Sequence, residues 1–257
     1  MNSKLIILGC GSSVGVPRID GMWGNCNKFN KKNIRTRCSA MIIKGNNYIL
    51  IDTSPDIRNQ FTSNNLKKLT SVLFTHEHAD QTNGLFEIRP FYWKNRKKIN
   101  IYANKKTILH LSKSHSFLFK KSGDYPPIVK ANKVKPFFSL GSSKDKVSFQ
   151  SIELKHGRIF TTAYIFEKTA YISDCNDLSI VKIKAFKNLN YLIIDCLKLS
   201  KHPSHFCLDE VLNIHQILKP KKTVLTNLHH DLDYNYLLKN LPTNIIPAYD
   251  GLKINLV

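Results

Sequence analysis

The sequence predicts an α/β (α+β) fold in which two sheets pack together with helices outside, as a single domain over residues 1–257. Three observations lead there. Short apolar runs of strand length alternate with stretches of helical length. Strands predominate early, and later they interleave with helices. No internal repeat or low-complexity linker divides the chain, and 257 residues suffice for one large core.

Leu5–Leu8 is the first apolar run. The opening Met1–Cys10 superficially resembles a bacterial lipoprotein signal, but four apolar residues are too few for a signal core, so the run reads as a strand. Ala40–Ile43 and Tyr48–Ile51 follow as a hairpin around Gly45-Asn46-Asn47. Pro55 suits a first helical position and Asp56 a first turn, which predicts a helix after Pro55. Further strands are expected at Ser71–Phe74, Ile99–Tyr102, Val147–Leu154, Ala163–Phe166, Ala170–Ile172, Tyr191–Ile194 and Thr223–Leu225. Helices are expected at Lys105–Phe119, Leu178–Phe186, Leu208–Leu218 and Tyr234–Leu241. Lys121–Pro127 and Leu140–Lys146 read as loops.

With 42% hydrophobic and 22% charged residues, the composition is that of an ordinary globular protein. No apolar run approaches the length of a membrane span, so no membrane partner is expected and a cytoplasmic location is the default. The six cysteines are scattered without a CxxC pair, which favours reduced thiols over disulfides. A formal charge of +21 fits a nucleic-acid partner. Lysine is spread along the chain with abundant Asn and Ile, however, as an AT-rich coding sequence would produce. The charge therefore supports an anionic substrate without singling out RNA.

The chemistry is concentrated in Thr75-His76-Glu77-His78-Ala79-Asp80-Gln81, between the apolar Val72-Leu73-Phe74 and a Gly84 segment able to start a helix. Two imidazoles two residues apart, with a carboxylate two further on, are poor packing material and good metal ligands. His76 and His78 can share one ion, while Asp80 turns toward a neighbouring position. More ligands stand at other strand ends. His156 is followed by Gly157, which lets the backbone turn sharply beside an ion. Asp174 ends Ala170–Ser173, where a carboxylate could bridge two cations. His229 comes three residues after Thr226. Each alone is more often structural, but together they make a metal site.

These residues resemble the metallo-β-lactamase superfamily, and the resemblance covers most of the chain. It is closest to the PhnP-like phosphodiesterase branch, which acts on phosphoribosyl cyclic phosphates, and more distant to tRNase Z. Leu8-Gly9-Cys10-Gly11-Ser12-Ser13-Val14-Gly15-Val16-Pro17, Arg37-Cys38-Ser39, Ile51-Asp52-Thr53-Ser54-Pro55, His202-Pro203-Ser204-His205 and Asn227–Tyr234 all look like that branch. The resemblance implies a four-layer αβ/βα sandwich of two mixed sheets, with the metal site at one edge. It implies two divalent ions, Mn2+ or Zn2+. His76, His78 and His156 would hold the first, Asp174 would bridge, and Asp80, Asp174 and His229 would hold the second. Where the family usually has a histidine this chain has Gln81. An amide oxygen is a weaker, harder donor, so the second position should lose zinc affinity and tolerate manganese better. Gln81 is either a ligand or a neighbour of the ligands. The branch also carries a cysteine-rich zinc site near its N-terminus; only Cys26 stands in that region here, so that site is expected to be absent.

Hydrolysis of a small (cyclic) phosphodiester by a metal-bound hydroxide is the activity this implies. His205 is then the general acid for the leaving alkoxide, and Asp80 belongs with it in the catalytic set. Its alternative is a surface histidine or one beside a helix N-cap, and His202 and His230 are weaker candidates for the acid. Asp52 would orient a metal-bound histidine or water. Arg18, Arg37, Arg58 and Arg89 could clamp an anionic substrate. The glycine-rich opening loop could receive a phosphate on its N–H groups or simply turn tightly. Rival readings are a tRNase Z-like RNA endonuclease, a thioester or lactone hydrolase, and a non-catalytic metal-binding relative. No insertion resembling the tRNA-gripping arm is present to support the first. The superfamily's habits suggest a homodimer by analogy.

Overall fold

The computed structural model describes residues 3–178 and 184–256. The first apolar run lies within β1 (Ser3–Gly9), and the hairpin is formed by β2 (Ser39–Lys44) and β3 (Asn47–Ile51). Its turn is one residue tighter than expected, because Asn47 already pairs with Lys44. After these come β4 (Ser71–Leu73), β5 (Ile99–Ala103), β6 (Val129–Lys133), β7 (Phe137–Leu140), β8 (Val147–His156) and β9 (Ile159–Phe166). The chain ends with β10 (Thr169–Ile172), β11 (Tyr191–Asp195), β12 (Lys222–Thr226), β13 (Ile245–Pro247) and β14 (Leu252–Leu256).

The strands make two seven-stranded mixed sheets, ordered β14-β1-β2-β3-β4-β5-β6 and β13-β12-β11-β10-β9-β8-β7. Each sheet is antiparallel in one half and parallel in the other. Both faces of each sheet are buried, as the strand alternation shows. Leu5 and Ile7 enter the core between the sheets, whereas Ile6 and Leu8 face the first sheet's helices. Ile57 and Phe61 of the helix Ile57–Ser63, with Leu111 and Leu118, complete that outer layer. Val211, Ile214 and Leu218 of the helix Leu208–Leu218, with Leu237 of Tyr234–Asn240, cover the second sheet. The result is the four-layer αβ/βα sandwich.

Several boundaries differ from expectation for local reasons. The helix after Pro55 begins at Ile57, and the Asp56 carboxylate turns back to accept from the Arg37 backbone N–H and pair with its guanidinium, both at 2.9 Å. The helix expected over 105–119 is interrupted at His115, giving Lys105–Ser114 and Ser116–Phe119. Ser112 and Ser114 there donate back to the carbonyls of Leu109 and His110, which weakens a helix end. Most of the helix expected at Leu178–Phe186 falls outside the described residues, and Lys184–Phe186 is a 3-10 turn. β6, β7, β13 and β14 were not expected. β6 and β7 are largely exposed, so they lack an apolar pattern, and β13 is three residues ending in proline. The unexpected helix Arg89–Asn95 buries no residue fully and thus has no apolar period to read.

One consequence of the topology positions the site. β1 and β3 run parallel because each pairs antiparallel with β2, and β4 is parallel to β3. In the other sheet β8 runs with β10, β11 and β12 by the same reasoning. The sheets are cross-linked near this edge by the Thr162 N–H on the Thr75 carbonyl and the Tyr164 hydroxyl on the Phe74 carbonyl, at 2.8 and 2.7 Å. The C-terminal ends of seven strands therefore gather at one edge, where open α/β sheets place their ligands.

Candidate metal centre

His76 and His78 leave the end of β4, and His156 is the last residue of β8. The ligand nitrogens of these three lie within 4.8 Å of one another. In two of the rings a hydrogen bond to the outer nitrogen sets the tautomer. His76 Nδ1 bonds the Thr75 hydroxyl at 3.0 Å, and that hydroxyl donates to Asp52 Oδ2 at 2.9 Å. His156 Nδ1 donates to the Ser204 carbonyl at 2.7 Å. What remains are lone pairs turned inward. His76 Nε2 is buried with no protein partner. His78 Nδ1 and His156 Nε2 stand 3.3 Å apart, the edge of a tetrahedron built from the usual zinc–nitrogen bonds of about 2.0–2.1 Å. Burial pulls His76 down to about 3 and lowers His78, the latter helped by His156 beside it. Both shifts favour the neutral imidazole, the form that binds metal. These residues fit a divalent ion.

Two carboxylates adjoin the cluster. Asp80 lies in the short helix Ala79–Thr82, and Asp174 lies two residues beyond β10. Burial, then the charge of Asp174, raises Asp80 to about 6. Burial works to raise Asp174 as well, but the surrounding imidazoles, His76 foremost, hold it below the usual range. Gln81 is buried between them, its amide nitrogen donating to Asp80 Oδ2 at 3.0 Å and Asp174 Oδ2 at 3.2 Å. The amide presents its donors to the carboxylates, while its oxygen is buried without a partner. Asp174 also accepts from the Ser173 hydroxyl.

Asp174, Asp195 and Asn227 stand at the ends of the adjacent parallel strands β10, β11 and β12. Asn227 bridges the other two, donating to Asp195 Oδ1 at 3.0 Å and Asp174 Oδ1 at 3.4 Å. His205 Nδ1 donates to Asp195 Oδ2 at 2.8 Å, and its ring lies 4.7 Å from that of His156. Burial opposes the cationic form of His205, but Asp195, then Asp174 and Asp80, raise it to about 9. His205 is thus a half-buried imidazole whose cationic form is favoured, beside the three-histidine cluster and grouped with His156 and Asp174. It is neither a surface residue nor a helix cap.

His229 lines the same cavity, yet among the described residues its nitrogens group with His230 and Asp231 rather than with Asp80 and Asp174. Its Nδ1 donates to Asp231 Oδ2 at 2.9 Å, and its ring lies 3.6 Å from that of His230. The cavity, about 340 Å3, is also walled by Ser12, Ser13, Val14 and His202. The opening loop is a tight turn rather than a phosphate cradle. The N–H groups of Gly11, Ser12 and Gly15 are taken by Thr36, Leu228 and Ser12 carbonyls, and a Cβ at Gly9 would lie 2.1 Å from the Arg37 carbonyl. Ser12 instead offers a buried hydroxyl with no partner. Of the four arginines, Arg18 and Arg37 line a second hollow of about 430 Å3 that shares Ser13, Val14 and Asp80 with the first. Arg58 is exposed on its helix, and Arg89 lies in an aromatic cleft elsewhere.

Asp52 touches the cluster only through Thr75, a link the sequence hid because threonine carries no metal-ligand signature. Asp195 and Asn227 were also missed as site residues. Their signal was register: each follows the same strand end as Asp174. Asp52, Asp174 and Asn227 share a left-handed backbone, at φ 59°, 55° and 60°, which Asp and Asn tolerate best. All six cysteines are free and buried, and Cys26 Sγ lies 3.8 Å from Arg35 Nη1.

A beta-lactamase superfamily domain model matches residues 47–229. A solved structure described as a new diphosphatase from the PhnP family is 30% identical, with a TM-score of 0.91 over 99% of this chain and 97% of that one. Zinc-bound PqqB from Methylobacterium extorquens is 16% identical with a TM-score of 0.77, covering 98% of this chain and 99% of that one. Human tRNase Z, short form, is 14% identical with a TM-score of 0.72, covering 99% of each. The latter two show the shared fold. An octanoyltransferase of Porphyromonas gingivalis (strain ATCC BAA-308 / W83) is 31% identical over 255 residues, 97% of this chain and 51% of that protein. The chain thus spans about half the length of this curated relative. Among the described residues, no helix is long and apolar enough to cross a membrane.

Proposed function

The chain belongs to the metallo-β-lactamase superfamily, with PhnP-like structure, and we propose that it hydrolyses a small phosphodiester or diphosphate with His205 as general acid. The observation that carries this is the His205–Asp195 pair, 2.8 Å apart, set against the three-histidine cluster. An alkoxide leaving group needs a proton, and the His205 imidazole, raised to about 9, is able to supply one.

His76, His78 and His156 would hold one divalent ion, zinc or manganese, and Asp80, Asp174 and His229 would be the side chains available to a second. When bound, such ions supply Lewis acidity, acidifying water and offsetting charge on phosphate oxygens. The chain does the rest. Asp52 acts through Thr75 to keep His76 in its metal-binding tautomer. Ser204 does the same for His156 through its carbonyl. Asn227 fixes the carboxylates of Asp195 and Asp174 relative to each other, so the acid is aimed at one point of the cavity. Ser12 donates its free hydroxyl to a substrate oxygen, and Arg37, whose Nε is tied to Asp56, turns its remaining N–H groups to an anionic arm in the adjoining hollow.

The test is hydrolysis of bis(p-nitrophenyl) phosphate by protein reconstituted with manganese or zinc, beside chelated protein and p-nitrophenyl octanoate. Metal-dependent release from the phosphate alone is expected. Release from the octanoate alone would transfer the site to acyl chemistry, toward the activity named for the longer relative.

A further inference from the structure

We propose that an aromatic, basic cleft away from the metal cavity binds single-stranded nucleic acid. The cleft, about 250 Å3, is walled by Phe86, Tyr92, Trp93, Phe117 and Tyr125 and floored by Arg89. It shares no lining residue with the metal cavity. Trp93 is 53% exposed and Tyr125 76%, far more than their size leads one to expect in a folded chain. Arg89 places its guanidinium carbon 3.3 Å from the Phe86 ring centre and 5.4 Å from that of Trp93. Its Nε is buried with no acceptor in the protein. The cleft therefore offers flat aromatic faces with a guanidinium held against them, which together suit a planar ring.

The surrounding charge selects the occupant. Residues 86–133 hold 12 Lys and Arg against 2 acidic residues, so less than a fifth of the chain carries nearly half of its net charge of +21. The positive charge is not evenly spread, contrary to the reading of the sequence alone. Lys94, Arg96, Lys97, Lys98, Lys120 and Lys121 are exposed around the cleft, and none forms an ion pair among the described residues. Rings on which bases stack, rimmed by cations that follow a phosphate backbone, are how proteins hold single strands without reading sequence. A second copy of this chain would meet the same positive field and be repelled. A membrane surface would ask for rings that protrude, whereas these line a concavity holding a guanidinium.

The experiment is fluorescence anisotropy of labelled twelve-nucleotide oligouridylate and oligothymidylate against the intact protein, across salt. Binding is expected, with a log–log salt slope of about −3 for some four neutralised phosphates. Trp93→Ala should weaken it about tenfold, Lys97→Glu with Lys98→Glu should flatten the slope, and metal-dependent phosphate hydrolysis should stay unchanged in both. Quenching of Trp93 emission in a Trp23→Phe background reads stacking directly. No binding at low salt overturns the proposal. So does binding that ignores Trp93→Ala, which would be charge alone. Tighter Trp93-dependent binding to phosphatidylserine vesicles than to either oligonucleotide would replace it with a membrane surface. Because hydrolysis is read separately, loss of the catalytic reading leaves this one standing, and the reverse.

Discussion

The two halves of the candidate metal centre are built to different standards. The three-histidine half is closed: two of its outer nitrogens are fixed by Thr75 and Ser204, and the inner ones converge. The carboxylate half is loose. Asp80 and Asp174 share Gln81, a donor standing where a cation would otherwise offset them, and His229 remains with His230 and Asp231. The difference teaches that ligand identity does not by itself give a position its affinity. Orientation by groups behind the ligand does, and the first half has it at His76 and His156.

The sharpest way to break the comparison is to remove a ligand from the closed half. His76→Ala should abolish tight metal binding, measured as ions retained after dialysis, and cut phosphodiester turnover by more than the roughly 100-fold typical of losing an outer partner. Retention of a full ion complement in this variant would mean that the carboxylate half is the stronger one. Next in size is His205→Ala. Turnover on alkyl esters should fall about 10²–10⁴-fold, and on nitrophenyl esters far less, since nitrophenolate leaves unaided. The pH profile follows from the same group. Raised to about 9, His205 carries its proton below that value and loses it above, so activity on alkyl esters declines as pH climbs toward 9. Bound cations would draw the limb lower. Equal losses on both leaving groups, or an alkaline limb that survives the substitution, would remove His205 from the acid role.

A smaller effect tests the orientation argument itself. Thr75→Val keeps the volume but severs Asp52 from His76, and should weaken the first ion about 10–100-fold in competition with a chelator dye. Unchanged affinity would leave Asp52 a purely structural group.

The fold was legible where sheets were buried on both faces, because runs such as Leu5–Leu8 and Tyr191–Ile194 admit little else. It was illegible at the edge strands β6 and β7, one in each sheet, which are largely exposed, and at Arg89–Asn95, where proline and unburied rings mask a helix. In the site, His76, His78, Asp80, His156 and Asp174 could be picked out by residue type and position near strand ends, and the structure brings them to one cavity or its wall. The partners that aim them could not be picked out. Thr75, Ser204, Asp195 and Asn227 meet the ligand-type residues through contacts as distant as 53 residues in sequence, which only the fold brings together. Arg58 and Arg89 failed for a related reason, since charge alone does not say which surface a side chain joins.

The last and smallest expected effect bears on the loose half. Gln81→His exchanges an amide donor for an imidazole between two carboxylates already pressed together, one of them raised to about 6 by burial and its neighbour. An additional lone pair there should strengthen the second ion about tenfold and shift its preference from manganese toward zinc, while the first ion is untouched. Titration calorimetry resolves the two steps. If the substitution instead weakens both ions, the amide of Gln81 is required to hold Asp80 and Asp174 in place, and the second position is loose because this chain spends that residue on the bridging carboxylate rather than on the metal.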